Sequence, residues 1–238
     1  MATMGTVLTR SPGADVAGLR TGRFGRWADG VTAMREDCIA FAGYWQAHNI
    51  EVLTKEGPLW VVLGDSTAQG LGAPAPDGGY VGQVLADLRQ RSGLPWQVLN
   101  LSVSGAVIRN VLDGQLAGMP GRADLVTCGI GVNDILYTAP GKLFADMRSL
   151  IEALPDGTVM LDLPLPDRMW GLVSRVSVPY VARINRVLYE AAQERGLPVA
   201  RVSKHFIPPW AGKFASDSFH PSLVGYRDWS RAVLDAIV

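Results

Sequence analysis

The rhythm of polar and apolar positions changes at Leu59. Before it, residues 32–50 place Ala33, Ala40, Phe41, Tyr44, Trp45 and His48 near one face at helical spacing, which predicts one helix packed on the rest of the chain. From Leu59 onward, short unbroken apolar runs begin. Leu59-Trp60-Val61-Val62-Leu63 ends at Gly64, and similar runs recur at Trp96–Leu101, Asp124–Ile130, Thr158–Leu163 and Pro198–Val202. A run without alternation reads as a strand buried on both faces. Helix-period segments separate the runs at Gly79–Arg91, Ala106–Leu116, Lys142–Leu154 and Pro179–Arg195, and Leu223–Ile237 closes the chain. Five strands alternating with helices predict an α/β protein: a three-layer α/β/α sandwich with a five-stranded parallel sheet. Residues 1–30, rich in Gly, Arg and Thr, show no clear period and read as a loose arm with a boundary near Gly30. The expected division is therefore 1–57, an N-terminal arm and helix packed on the main domain, and 58–238, the main domain. In such folds ligands bind beyond the carboxyl ends of the strands, so the residues just after each strand carry the chemistry.

Composition narrows the function. The 238 residues are 48% apolar and 18% charged, enough for a sizeable core. Lys plus Arg and Asp plus Glu both count 22, so no excess of basic charge exists for nucleic acid. No apolar run reaches the ~18 residues of a spanning helix. Met1-Ala2-Thr3-Met4-Gly5 leads into no apolar signal region, so a cytoplasmic location without stable membrane insertion is expected. Cys38 and Cys128 make neither a CxxC pair nor a zinc spacing, and three histidines are too few for a multi-histidine metal site. No cofactor is expected.

Four short blocks stand out. Gly64-Asp65-Ser66-Thr67-Ala68 follows the first strand, and a serine on such a turn either caps the next helix or is presented as a nucleophile. It is not the G-x-S-x-G elbow, because position 68 is Ala. Ser104-Gly105-Ala106 follows the second strand, where a glycine lets backbone approach a ligand or simply serves the loop. Gly131-Val132-Asn133-Asp134 follows the third, where an Asn amide can stabilise an oxyanion or merely shape a turn. Asp217-Ser218-Phe219-His220 lies near the end, with an Asp spaced to orient a base His. His48, on the first helix, and His205, without a carboxylate nearby in sequence, are the competing bases.

Each block alone is ordinary, but the set in this order resembles the SGNH hydrolase superfamily, the GDSL-type esterases and lipases. Its four name-giving residues match Ser66, Gly105, Asn133 and His220, and the resemblance spans about Leu59 to Val238. It departs in Thr67, where the family name implies Leu, and in the roughly 58 residues before the first strand. The resemblance implies a flavodoxin-like SGNH hydrolase fold with strand order 2-1-3-4-5. It also implies a serine esterase with Ser66, Asp217 and His220 catalytic and an oxyanion hole formed by Ser66, Gly105 and Asn133. No metal is implied. Asp65 and Asp134 are expected to fix loops.

The substrate is read from two loops, Pro164–Val173 and Phe206–Phe214. Met169, Trp170, Leu172, Trp210 and Phe214 are expected to wall an apolar acyl pocket, the other reading being that they cap the core. The expected activity is hydrolysis of small-molecule carboxylic esters with short to medium acyl chains. An O-acetyl esterase on carbohydrate, a lysophospholipase-like activity, and an acyl-CoA thioesterase using Arg168, Arg175 or Lys213 are the alternatives. Acyl transfer to an alcohol shares the same acyl-enzyme.

Overall fold

In the computed structural model, which describes residues 25–165 and 172–237 (side chains from 36 to 165 and 177 to 237), every predicted apolar run is a strand. The elements follow in chain order as α1 (Gly25–Val52), β1 (Leu59–Gly64), α2 (Ser66–Gln69), α3 (Tyr80–Ser92), β2 (Gln97–Asn100), α4 (Ile108–Asn110), β3 (Leu125–Gly129), α5 (Asp134–Tyr137), α6 (Pro140–Ala153), β4 (Val159–Leu161), α7 (Leu172–Arg195), β5 (Val199–Ala200), α8 (Val202–His205) and α9 (Leu223–Ala236). The sheet is parallel, in the order β2-β1-β3-β4-β5. Chain order reverses around β1, which opens a crevice beyond the carboxyl ends of β1 and β3.

Period-two alternation divides β1 between two cores. Val61 and Leu63 join Val126, Cys128 and Met160 under Leu143, Met147 and Leu150 of α6 and Ile184 and Leu188 of α7. Trp60 and Val62 face the other way, against Tyr80 and Val84 of α3 and Tyr226, Trp229 and Val233 of α9. Trp60 buries its ring without stranding its N–H, because Nε1 donates to Thr127 Oγ1 at 3.0 Å.

Helix α1 covers the free edge of β2. Asn49 acts as a stand-in for a neighbouring strand: Asn100 N–H donates to its Oδ1 at 2.9 Å, and its Nδ2 donates to Asn100 O at 2.7 Å. His48 Nε2 donates to Val98 O at 3.1 Å. An edge whose backbone groups are satisfied by side chains offers no template for another chain.

Three boundaries differ from the pattern. Helix α1 begins at Gly25, because Gly30 costs a helix only about 1 kcal/mol and does not end it. Its inward face carries Phe41, Trp45 and Val52, with His48 on the edge of β2, whereas Ala40 and Tyr44 of the expected face are exposed. The expected helix over 106–116 is α4, then a π-helical turn at Val111–Gln115 and a tight turn at Leu116–Gly118. Pro179 lies inside α7 rather than opening it. Proline removes one donor and crowds the preceding turn, a local cost that a 24-residue helix carries.

Candidate active site

Ser66 is placed by the strand-to-helix turn. Asp65 caps α2: its Oδ1 accepts the Thr67 backbone N–H at 3.0 Å and the Thr67 hydroxyl at 2.8 Å. Ser66 is thus the first residue of a helix, where the backbone N–H has no acceptor within the helix. Burial pushes the Asp65 carboxyl up, while the Thr67 bonds pull against it. On the other side of the turn, Gln115 brackets Gly64. The Gly64 N–H donates to Oε1, and Nε2 donates to Gly64 O, both at 2.8 Å.

The histidine arrives from the loop before α9. Ser66 Oγ and His220 Nε2 are 2.9 Å apart, and His220 Nδ1 lies 2.6 Å from Asp217 Oδ2. The second carboxylate oxygen, Oδ1, accepts the backbone N–H groups of Phe219 at 2.9 Å and His220 at 3.0 Å. A carboxylate only accepts, so Nδ1 carries the imidazole proton and Nε2 presents its lone pair to the serine hydroxyl. Burial raises the Asp217 carboxyl, but the bonds from His220 and Phe219 outweigh it and hold the group below its ordinary range. The loop is closed by a bridge between Phe214 and Pro221 and by the Ala215 N–H donating to His220 O at 2.9 Å. Gly72 runs behind it with φ of 93°, and a Cβ there would lie 2.8 Å from His220 Cβ and 2.6 Å from Pro221 O. Only glycine fits that crossing.

Gly105 and Asn133 follow β2 and β3, the two strands that flank β1, so all three turns sit at one end of the sheet. Gly105 has φ of 77°, and space is open where a Cβ would stand. Its glycine serves the backbone conformation rather than packing. Among the described residues no acceptor meets its N–H. Asn133 Nδ2 donates one hydrogen to Ala106 O at 2.9 Å, which fixes the amide and leaves its second N–H for a ligand. Asp134 ties the two loops together: Oδ2 accepts the Ile108 N–H and Oδ1 the Thr138 hydroxyl, each at 3.0 Å. Burial raises its carboxyl as well.

Of the five residues expected to wall an acyl pocket, the side chains of Trp210 and Phe214 are described. Trp210 and Phe214 are half-buried and pack on Phe206 at centroid distances of 5.3 and 5.2 Å, against the core that holds Trp229. Met169 and Trp170 lie outside the described residues, and Leu172 is described only as the first residue of α7. Of the basic candidates, Arg168 is outside the described residues and the side chain of Arg175 is not described. Lys213 is held by Asp228 at 2.5 Å and by Ile207 O at 2.6 Å, which leaves it no free charge for a phosphate. His205 pairs with Asp235 of α9 at 3.4 Å, a carboxylate distant in sequence, and His48 belongs to the sheet edge.

Three side chains of the site were not anticipated: Gln69, Asn100 and Gln115, all buried amides. Asn100 Nδ2 donates to Ala68 O, and its Oδ1 accepts both the N–H and the hydroxyl of Ser102. The available signal was an amide at positions where the neighbouring pattern is apolar or small. A second unanticipated feature is Leu136 and Tyr137 of α5, 72% and 73% exposed directly after Asn133 and Asp134. Among the described residues no helix is long and apolar enough to cross a membrane.

A parallel sheet with a serine, a histidine and a carboxylate linked in one chain at its carboxyl end defines a hydrolase of the three-layer α/β/α class. The chain belongs to the GDSL-like lipase/acylhydrolase family, whose model matches residues 62–227, and it is a carboxylic ester hydrolase of the SGNH superfamily. Solved structures share the fold. TesA superposes with a TM-score of 0.60 at 22% identity, over 75% of this chain and 97% of its own. Axe2, an acetylxylan esterase from Geobacillus stearothermophilus, gives 0.60 at 23%, over 76% and 94%. The lipase Lip_vut3 from a goat rumen metagenome gives 0.62 at 18%, over 75% and 97%. Comparison with curated proteins finds no match.

Proposed function

We propose that the protein hydrolyses carboxylic esters of short to medium acyl chains through an acyl-enzyme on Ser66. The observation that carries this reading is the continuous chain Ser66 Oγ to His220 Nε2 at 2.9 Å and His220 Nδ1 to Asp217 Oδ2 at 2.6 Å. Ser66 Oγ attacks the ester carbonyl while its proton passes to His220 Nε2. Asp217 stabilises the imidazolium and keeps the ring oriented. The carbonyl oxygen becomes an oxyanion held by the N–H groups of Ser66 and Gly105 and the free N–H of Asn133. His220 then returns the proton to the leaving alcohol. In the second half, water adds to the acyl-enzyme while His220 takes its proton, and His220 returns that proton to Ser66 Oγ as the carboxylic acid leaves. Each oxyanion donor is worth about 10²–10³ in rate.

With Trp210 and Phe214 half-buried against Phe206, exposed apolar side chains beside the proposed oxyanion donors are the nearer acyl contacts in this reading. Val103 stands near Gly105, and Leu136 and Tyr137 follow Asn133. Their exposure favours acyl chains over a polar sugar. The O-acetyl reading would need a site that prefers acetate, and the similarity to Axe2 is one of fold.

The test is hydrolysis of p-nitrophenyl esters from acetate to palmitate by wild type and Ser66→Ala. Activity that depends on Ser66 and peaks at mid-length chains is expected. A peak at acetate transfers the reading to a deacetylase, and full activity in Ser66→Ala refutes the nucleophile.

A further inference from the structure

Gln69 ends α2, three residues after Ser66, and is 3% exposed. Its side chain reaches the loop after β2 on both sides of Val103. Nε2 donates to Ser102 O at 2.9 Å, and Oε1 accepts the Ser104 hydroxyl at 2.6 Å. Its own carbonyl accepts the indole N–H of Trp45 at 2.9 Å, so α1 holds the same residue from behind. Ser104 directly precedes Gly105. A single amide therefore spans from the helix of the proposed nucleophile to the loop of a second proposed oxyanion donor, and α1 braces it at Gln69.

We propose that Gln69 is a positioning residue: it sets the Gly105 N–H relative to Ser66 so that both donors meet one oxyanion. This rests on the reading of Ser66 as nucleophile and Gly105 as oxyanion donor. The side chain has to donate at one end and accept at the other, because Ser102 offers a carbonyl and Ser104 a hydroxyl. Glutamine does this at the required reach, and no apolar side chain does. A donor misplaced by about 1 Å costs on the order of 10²-fold in rate, so a modest shift of the loop is enough to be measured.

Gln69→Met keeps the length of the side chain and removes both bonds. Ser104→Ala removes one. Both, with the double variant, are compared with wild type and Ser66→Ala on p-nitrophenyl butyrate. Binding of an alkylboronic acid is measured in parallel, because its boron bonds the serine oxygen and directs an oxygen into the hole. Gln69→Met is expected to lower kcat about 30-fold, with KM within about threefold, and to weaken boronic acid binding by the same factor. The double variant is expected to be no worse than Gln69→Met, because the Ser104 hydroxyl acts through the glutamine. A kcat within about twofold of wild type, a loss confined to KM, or losses that multiply in the double variant would each overturn the proposal. If Gln69→Met does not fold, Ser104→Ala decides. A parallel loss of several-fold in kcat and boronic acid affinity supports the proposal, and wild-type values overturn it. An active Ser66→Ala removes the underlying reading and the proposal with it. An inactive Ser66→Ala beside an unimpaired Gln69→Met removes the proposal alone.

Discussion

Replacing Asp217 with Asn should harm catalysis more than replacing it with Ala. The carboxylate has two duties: Oδ2 accepts from His220 Nδ1, and Oδ1 accepts two backbone N–H groups, from Phe219 and His220. Asparagine has only one acceptor oxygen. Two backbone donors outweigh one ring donor, so the amide oxygen stays on the backbone and the NH2 faces Nδ1. The ring then settles with its proton on Nε2, which donates to Ser66 and cannot take its proton. To regain the working tautomer, one hydrogen bond breaks and two donors face each other. The side chains of His220 and Asp217 are only 5% and 13% exposed, so water offers little rescue. One lost bond at about 1 kcal/mol and two unsatisfied donors at about 1–2 kcal/mol each give roughly 3–5 kcal/mol, or about 10²–10⁴ in kcat. Alanine leaves room for water at Nδ1 and keeps the working tautomer accessible, so its kcat should lie about tenfold or more above that of Asn. Stability should rank the other way, because Asn retains the backbone bonds. Steady-state kinetics on p-nitrophenyl butyrate and urea denaturation of both variants read the two rankings. An Asp217→Asn enzyme faster than Asp217→Ala would refute the tautomer argument.

Asp217 also predicts a pH effect on stability. Its folded pKa is depressed, with burial opposing and the His220 and Phe219 bonds prevailing. Its contribution is therefore full above the unfolded value of about 3.9 and is lost as pH falls through the folded value. The stability gap between wild type and Asp217→Ala in urea should shrink below about pH 4, and a gap that widens toward acid contradicts the assignment. Asn49→Leu should lower stability by about 1–3 kcal/mol and promote concentration-dependent aggregation, because it uncovers the N–H and C=O of Asn100 on the edge strand. An unchanged urea midpoint would show that the edge needs no cover. Trp210→Ala and Phe214→Ala should each cost about 2–4 kcal/mol while leaving the acyl-length profile unchanged. A shifted profile in a stable variant would return these rings to the substrate.

The sheet was legible because strands buried on both faces leave apolar runs that nothing else in the chain imitates. The reacting residues were legible for a related reason: each directly follows such a run or lies in the final loop, where a polar cluster stands out. The role of the loop aromatics was not legible, because composition records how apolar a segment is, not which surface it covers. Trp210 and Phe214 look the same in sequence whether they line a pocket or cap α9. Gln69 was illegible for a different reason. Its partners are Ser102, Ser104 and Trp45, 24 to 35 residues away on two other segments, and no local pattern relates them.

This difference separates two kinds of contribution to the site. The groups proposed to exchange protons or hold charge all lie within the family-matched residues 62–227. Trp45 and Asn49 lie outside that span, yet they brace α2 and β2 from the edge of the sheet. An edge strand followed by a loop that carries an oxyanion donor is mechanically weak, since it is supported from one side only. A helix laid along that edge supplies the missing side with four hydrogen bonds from three side chains, Trp45, His48 and Asn49. Preorganised donors contribute to catalysis only as far as they stay fixed when charge develops. If Ser66 and Gly105 act as proposed, the N-terminal helix bears on rate as well as on stability through Gln69, which Trp45 holds.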